Sequence, residues 1–280
     1  MATIGVFDSG SGGISVLREI IRLLPEEKYL YFSDNAHCPY GEKSASEIAD
    51  RARTITEILL GMGAEIIVVA CNTATAAAIS VLRNEFPGIR FIGMEPAVKP
   101  AATGTRSGVV GVLATAGTLK GSKYLTTKGR FEDNVTIIER VGRGFVELVE
   151  RGVLDGPEAE STVKESLQPL LDGGADTIVL GCTHYPFLED VIRRIAGPGV
   201  SIIDPAPSVA RHLIYVMVEE GLLSEGKATR ALARVIEQEE MKGRGKCLPL
   251  PAAPEVDLLC SGEPESLRRI YNLVFNPQRP

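Results

Sequence analysis

Two stretches decide the fold: EIIVVACNTATAAAISVLR at residues 65–83 and DTIVLGCTHYPFLEDVIRR at residues 176–194. In each, a short β-branched apolar run (Ile66-Ile67-Val68-Val69; Ile178-Val179-Leu180) ends on a small residue and a cysteine, and a segment of helical character follows. A continuous apolar run of this length suits a parallel strand buried on both faces, so each stretch reads as a strand with a cysteine at its carboxyl end. The two cysteines stand 182 − 71 = 111 positions apart. Residues 88–96 and 199–207 keep that offset, 199 − 88 = 111, and residues 5–10 match residues 111–116 at 111 − 5 = 106. The chain reads as internally duplicated, an α/β protein of two pseudosymmetric domains, each a mostly parallel sheet flanked by helices. Ligands bind outside the carboxyl ends of parallel strands. If the halves face each other, Cys71 and Cys182 meet across one interdomain cleft.

The bulk properties narrow the function. A chain of 280 residues holds two domains or one large one. Its net charge of -6 argues against nucleic acid as a partner, because phosphate binding needs a concentrated basic surface. The basic run from Lys242 to Lys246 is short and Gly-rich and reads as a solvated loop. No apolar run is long enough to span a bilayer, and Ile4 to Phe7 already reads as a strand where a targeting peptide would lie. Five cysteines without close metal-type spacing fit free thiols better than a disulfide framework. A cytoplasmic protein is expected.

Outward from the two cysteine strands, Ile4 to Phe7 runs into Asp8-Ser9-Gly10-Ser11-Gly12-Gly13 and then a helical pattern from Ile14. That turn lacks the Lys of a P-loop and the third glycine of a dinucleotide fingerprint, since Ser15 stands in its place. It is suited instead to offering N–H groups to a smaller anion such as a carboxylate, or simply to capping a helix. Tyr29 to Phe32 is a strand, followed by the irregular stretch Ala36 to Gly41. His37 beside Cys38 lacks the second pair a zinc site needs, and reads as loop. Residues 44–62 read as an amphipathic helix with apolar side chains at Ile48, Ala52, Ile55, Ile58 and Leu59. Thr115 and Thr118 follow the strand 109–113, where Asp8 and Ser9 follow the first; both are also plausible helix caps. Glu150 falls near a helix end with little to single it out. The second half completes its strands by Ile203, so the tail is expected to pack back on the first half. Domain one is then 1–97 plus 208–280, and domain two is 98–207.

One cysteine at a strand end is most often inert and buried. Two in matching places, each followed by polar residues that need partners, outweigh that reading. Opposed thiols suit stereoinversion at a carbon α to a carboxylate: one thiolate removes the proton and the opposite thiol returns one to the other face. Ser9, Thr73 and Thr183 are candidate carboxylate clamps, with Asp8 and His184 placed to assist one sulfur each. A surface or capping role is the alternative for His184.

Four motifs in order, Asp8-Ser9-Gly10-Ser11-Gly12-Gly13, Pro39-Tyr40-Gly41, Ala70-Cys71-Asn72-Thr73-Ala74 and Leu180-Gly181-Cys182-Thr183-His184-Tyr185-Pro186, resemble bacterial glutamate racemase, with a weaker echo at Ser261-Gly262-Glu263-Pro264-Glu265. The resemblance implies a cofactor-independent isomerase that converts L-glutamate to D-glutamate for peptidoglycan, with no metal, in a homodimer. It implies Cys71 and Cys182 as the catalytic acid/bases, assisted by Asp8, His184 and Glu150. It implies substrate binding by Asp8, Ser9, Tyr40, Gly41, Asn72, Thr73, Thr115, Thr118, Thr183 and His184. The N-terminal extension of members activated by a cell-wall precursor is missing here, so such activation is not expected.

Aspartate racemase shares this architecture and its paired cysteines; His184 and Asp8-Ser9-Gly10 favour the glutamate type. A non-catalytic carboxylate-binding protein with cysteines in its cleft is a second alternative. A thiolate metal protein on Cys71, Cys182 and His184 is a third, and it lacks a fourth ligand.

Overall fold

A computed structural model describes residues 1–242, 247–251 and 254–276. Nine strands form two sheets among these residues. The first is built from β1 (Thr3–Asp8), β2 (Lys28–Ser33), β3 (Ile66–Val69) and β4 (Arg90–Gly93). The second holds β5 (Val109–Ala114), β6 (Thr136–Val141), β7 (Thr177–Gly181) and β8 (Ser201–Ile203), and the chain then returns to the first sheet as β9 (Glu255–Cys260). Every strand pairing is parallel.

The sheet orders are β4-β3-β1-β2-β9 and β6-β5-β7-β8. Read from the other edge, the second becomes β8-β7-β5-β6, the order of the first without its added edge strand. Repeated offsets in sequence have become repeated topology. In both sheets the order reverses beside the central strand, between β1 and β3 and between β5 and β7. The crevice outside such a reversal is where an open parallel sheet leaves room for a ligand. Cys71 and Cys182 lie just past β3 and β7, one at each crevice.

The central strands form because they are apolar throughout: all four residues of β3 and all five of β7 are buried. Gly181 is needed where it stands, because a Cβ there would lie 2.7 Å from Ala114 Cβ on the paired strand. β6 and β9 were not anticipated from sequence. Their runs TIIERV and EVDLLC carry charge because both are edge strands, and Lys28 meets Asp257 of β9 at 3.1 Å.

The helix Ile14–Leu23 opens after the glycine-rich turn, and Ala45–Gly61 starts at a Ser44/Glu47 capping box. Ala206–Glu219 packs on Ile14–Leu23. One continuous apolar core contains Ile14, Leu17 and Ile20 of the first half with Leu113, Phe145 and Leu180 of the second. The halves are therefore joined by an apolar interface as well as by the chain. The basic run read as a solvated loop begins at Lys242, the last residue of the helix Glu225–Lys242; residues 243–246 lie outside the described residues.

Candidate active site

The first wall of the cleft is made by the carboxyl ends of β1 and β3. Asp8, fully buried, accepts the Gly13 N–H at 2.8 Å, and the Thr183 hydroxyl reaches the same oxygen at 3.4 Å from the other half. The Ser9 hydroxyl lies 3.5 Å from its second oxygen. Cys71 is the N-cap of Asn72–Glu85, and its sulfur accepts the Ala74 N–H at 3.4 Å and lies 3.7 Å from Ser9 Oγ. The helix starts directly after the cysteine because the thiol supplies the cap. Burial and the neighbouring Asp8 charge push the Cys71 thiol well above its usual range, outweighing the Ala74 N–H. Burial raises Asp8 as well, against the positive charge of His184 and the Gly13 N–H.

The second wall differs. Cys182 caps no helix: Tyr185–Leu188 is a single 3-10 turn containing Pro186, and the α-helix begins at Glu189. Its sulfur lies 3.8 Å from His184 Nδ1, and His184 Nε2 lies 2.8 Å from Glu150 Oε1. That oxygen also accepts the Ser11 N–H at 2.7 Å and the Ser11 hydroxyl at 3.0 Å, while the Ser266 hydroxyl donates to Oε2. Burial works to raise Glu150, but His184, Ser266 and Ser11 together hold it at about 2. Burial also opposes a charge on His184, yet its bonds to Cys182 and Glu150 lift its pKa well above the ordinary value. The second wall carries an imidazolium–carboxylate pair where the first carries a lone carboxyl group.

A triangle of hydroxyls joins the walls: Thr73 to Thr115 at 2.8 Å, Thr115 to Thr118 at 2.9 Å, and Thr73 to Thr118 at 3.3 Å. Gly41 packs beside Thr115, close enough that a Cβ on it would lie 3.3 Å from Thr115 Cβ. The Tyr40 hydroxyl is turned away to Asp34 at 2.5 Å. Asp34 also takes both arms of Arg51, at 2.9 and 2.7 Å, and is held at about 2 despite its burial. Asn72 is buried with neither side-chain oxygen nor nitrogen bonded among the described residues. An amide left so is costly unless a ligand or water completes it.

A cavity of about 500 Å³ opens beside this group, walled by Gly41 and Glu42 from one half and Thr115, Ala116, Arg143 and Tyr185 from the other. Neither cysteine lines it. The sulfurs lie deeper, with Cys71 5% and Cys182 7% exposed. The cavity thus opens at the seam beside Thr115 and stops short of both thiols.

The residues singled out in sequence gather around the two strand-order reversals. Glu150, which its own surroundings did not mark, is the residue bonded to His184. The glycine-rich turn does hold carboxylates with its N–H groups, but they are the protein's own: Ser11 N–H binds Glu150 and Gly13 N–H binds Asp8. Three contributors were missed. Ser11 lay unremarked inside a quoted motif, Ser266 follows directly on the Ser261–Glu265 echo, and Ser15 donates across the halves to the Thr183 carbonyl at 2.9 Å. A serine gives no sequence signal of its own for such work.

The sequence pattern of the family described as Asp/Glu/Hydantoin racemase matches residues 4–213. The chain is 48% identical over 274 residues to a glutamate racemase of Stutzerimonas stutzeri, covering 98% of this chain and 94% of that one. Among solved structures it resembles Escherichia coli glutamate racemase in complex with L-glutamate and the activator UDP-MurNAc-Ala, at TM-score 0.78 and 30% identity, over 98% of this chain and 95% of that one. It also resembles Francisella tularensis glutamate racemase in complex with D-glutamate, at TM-score 0.76 and 27% identity, over 98% and 93%.

Proposed function

Since this chain belongs to the glutamate racemases of the Asp/Glu/hydantoin racemase family, we propose that it interconverts L- and D-glutamate with Cys71 and Cys182 as opposed acid and base. The observation that carries this reading is the pair of buried sulfurs at equivalent strand ends of two facing halves, bridged by the bond from Thr183 to Asp8.

Cys71 is held as a thiol by burial and by Asp8, so it begins as the proton donor. Cys182, 3.8 Å from His184 Nδ1 on the opposite wall, is assigned the complementary role of base. It takes the α-proton from one face, and Cys71 delivers its own to the other. The opposite enantiomer needs Cys71 ionised. Asp8, raised by burial, is suited to receive that proton, which leaves the sulfur without a negative neighbour. Asp8, His184 and Glu150 are therefore read as proton managers, one wall each.

The α-carbon of an amino acid is a weak acid, so the site must also position the substrate and exclude water. Asn72, with its unused amide, and the hydroxyls of Ser9, Thr73, Thr115, Thr118 and Thr183 are read as binding the two carboxylates, together with the Tyr40-Gly41 and His184 backbone. We extend the reading to catalysis without a cofactor, to a domain division at 1–97 plus 208–280 and 98–207, to a cytoplasmic homodimer, and to supply of D-glutamate for peptidoglycan. No helix among the described residues is long and apolar enough to cross a membrane.

The test is racemisation in D2O by purified protein without added cofactor. Early in the reaction from L-glutamate, deuterium should enter the D-glutamate formed and stay out of the L-glutamate that remains. Label appearing equally in both would point to one exchanging base and overturn the opposed pair. Faster turnover of aspartate would overturn the substrate.

A further inference from the structure

One titratable side chain at the site, Cys38, is left unused by this chemistry, and it stands against two that are used. Cys38 Sγ, a Glu150 carboxylate oxygen and a His184 ring nitrogen all lie within 4.8 Å of one another. They come from three separate segments: the loop after β2, the helix Phe145–Arg151 and the turn after β7. They converge over Gly10, where the position a Cβ would take is 2.3 Å from Glu150 Oε1, 3.0 Å from Cys38 Sγ and 3.2 Å from His184 Nε2. Any side chain at residue 10 would fill the meeting point, and glycine leaves it open. The Gly10 carbonyl is fixed by the Tyr31 hydroxyl at 2.9 Å, so this floor is held in place. His37, the neighbour that made Cys38 suggestive in sequence, points away and bonds Asp34 at 3.0 Å.

We propose that Cys38, Glu150 and His184 form an inhibitory site for a thiophilic divalent cation such as Zn²⁺, separate from any need of the reaction itself. One sulfur, one imidazole nitrogen and one carboxylate oxygen, with solvent as fourth ligand, is a donor set zinc accepts in tetrahedral geometry. Zinc–ligand distances of about 2.0–2.3 Å require Cys38 to move inward by roughly 1 Å. Once seated, the ion takes the place of the His184 Nε2 proton and of the Cys38 thiol proton, both of which pass to solvent, and it leaves the ring beside Cys182 with a single proton on Nδ1 and no second one to give up. Inhibition follows without a bond to either opposed sulfur.

The proposal rests on the racemase reading only for its activity readout, so zinc binding is measured separately by calorimetry. A Cys247→Ser background removes the exposed thiol. On that background the protein should bind one Zn²⁺ and lose glutamate racemisation as the site fills. Adding Cys38→Ser should weaken both binding and inhibition at least tenfold while leaving metal-free racemisation within about twofold. Cys38→Ala serves as a second variant, with circular dichroism reporting the fold. Equal inhibition with and without Cys38 would place the ion on Cys71 or Cys182 and overturn the proposal, as would the absence of calorimetric binding. A protein that binds zinc through Cys38 but racemises nothing would keep the site and sink the activity.

Discussion

The two walls of the cleft share a backbone and differ in how they treat a proton. At the first, a thiol caps a helix next to a carboxyl group, and both are buried. At the second, a thiol stands beside an imidazolium anchored by a carboxylate that four protein hydrogen-bond donors surround: His184, the Ser11 N–H, the Ser11 hydroxyl and the Ser266 hydroxyl. Duplication supplies the opposition that inversion of a stereocentre needs. Divergence supplies different neighbours on each side, a buried carboxyl group at Cys71 and an imidazole–carboxylate pair at Cys182, which is the asymmetry the proposed two-base reading uses.

The comparison breaks most sharply at the sulfurs. Cys71→Ala and Cys182→Ala should each lower racemisation by about 10²–10⁴-fold, the range a positioned acid or base contributes. Loss at only one would mean that a single wall does the chemistry. Polarimetry on both variants decides this.

Asp8→Asn comes next. It keeps the shape of the first wall but removes the group proposed to receive the Cys71 proton, and a fall in kcat of about 10²-fold is expected, at the lower end of acid–base effects. Enantiomers have equal free energies, so kcat/KM must fall equally from L- and D-glutamate. The asymmetry shows in kcat, lower in the direction that starts with Cys71 as base, and in a KM that is lower there by the same factor. Equal kcat losses in both directions would remove Asp8 from the relay.

Glu150→Gln tests the second wall. A hydrogen bond to a charged group is worth about 1.5–3 kcal/mol, so its loss predicts a fall in activity of roughly 10- to 100-fold. The pH profile carries the sign. Glu150 holds the proton on His184, whose pKa stands above its ordinary 6.5, so the cation is present below that raised value and lost as pH rises through it. Without the carboxylate, the ring should titrate at lower pH and the alkaline limb of activity should move down with it. Only 3 histidines occur in the chain, which makes the His184 ring signal easy to assign by NMR. An unmoved titration would show that Glu150 merely fills space.

How much of this could be read from the chain alone follows the same division. β3 and β7 were legible because central parallel strands are apolar on both faces and so announce themselves. The edge strands β6 and β9 were not, because Arg140, Glu255 and Asp257 face solvent and Glu139 is spent on the Tyr124 hydroxyl, which breaks the apolar pattern. At the site, Cys71 and Cys182 were readable as a pair only through their offset, a property of the duplication. Glu150 has no counterpart in that repeat. It reaches His184 across 34 positions of chain through a helix whose own sequence serves packing. Ser11, Ser15 and Ser266 act by where the fold puts them, and a hydroxyl in a sequence carries no trace of its partner.

The smallest expected effect concerns the place where the walls agree. Thr73, from the first half, and Thr115 and Thr118, from the second, share one set of hydroxyl bonds, and Thr118 is almost completely buried. Thr118→Val keeps the volume and removes one hydroxyl, leaving Thr115 as the N-cap of its own turn. A neutral hydrogen bond is worth about 1 kcal/mol, so KM for glutamate should rise about fivefold while kcat stays within roughly twofold. The proton managers are untouched, and the loss is one of binding. If kcat fell instead with KM unchanged, the hydroxyl cluster would be acting on the transition state. The line drawn here between walls that move protons and a seam that holds carboxylates would then have to be redrawn.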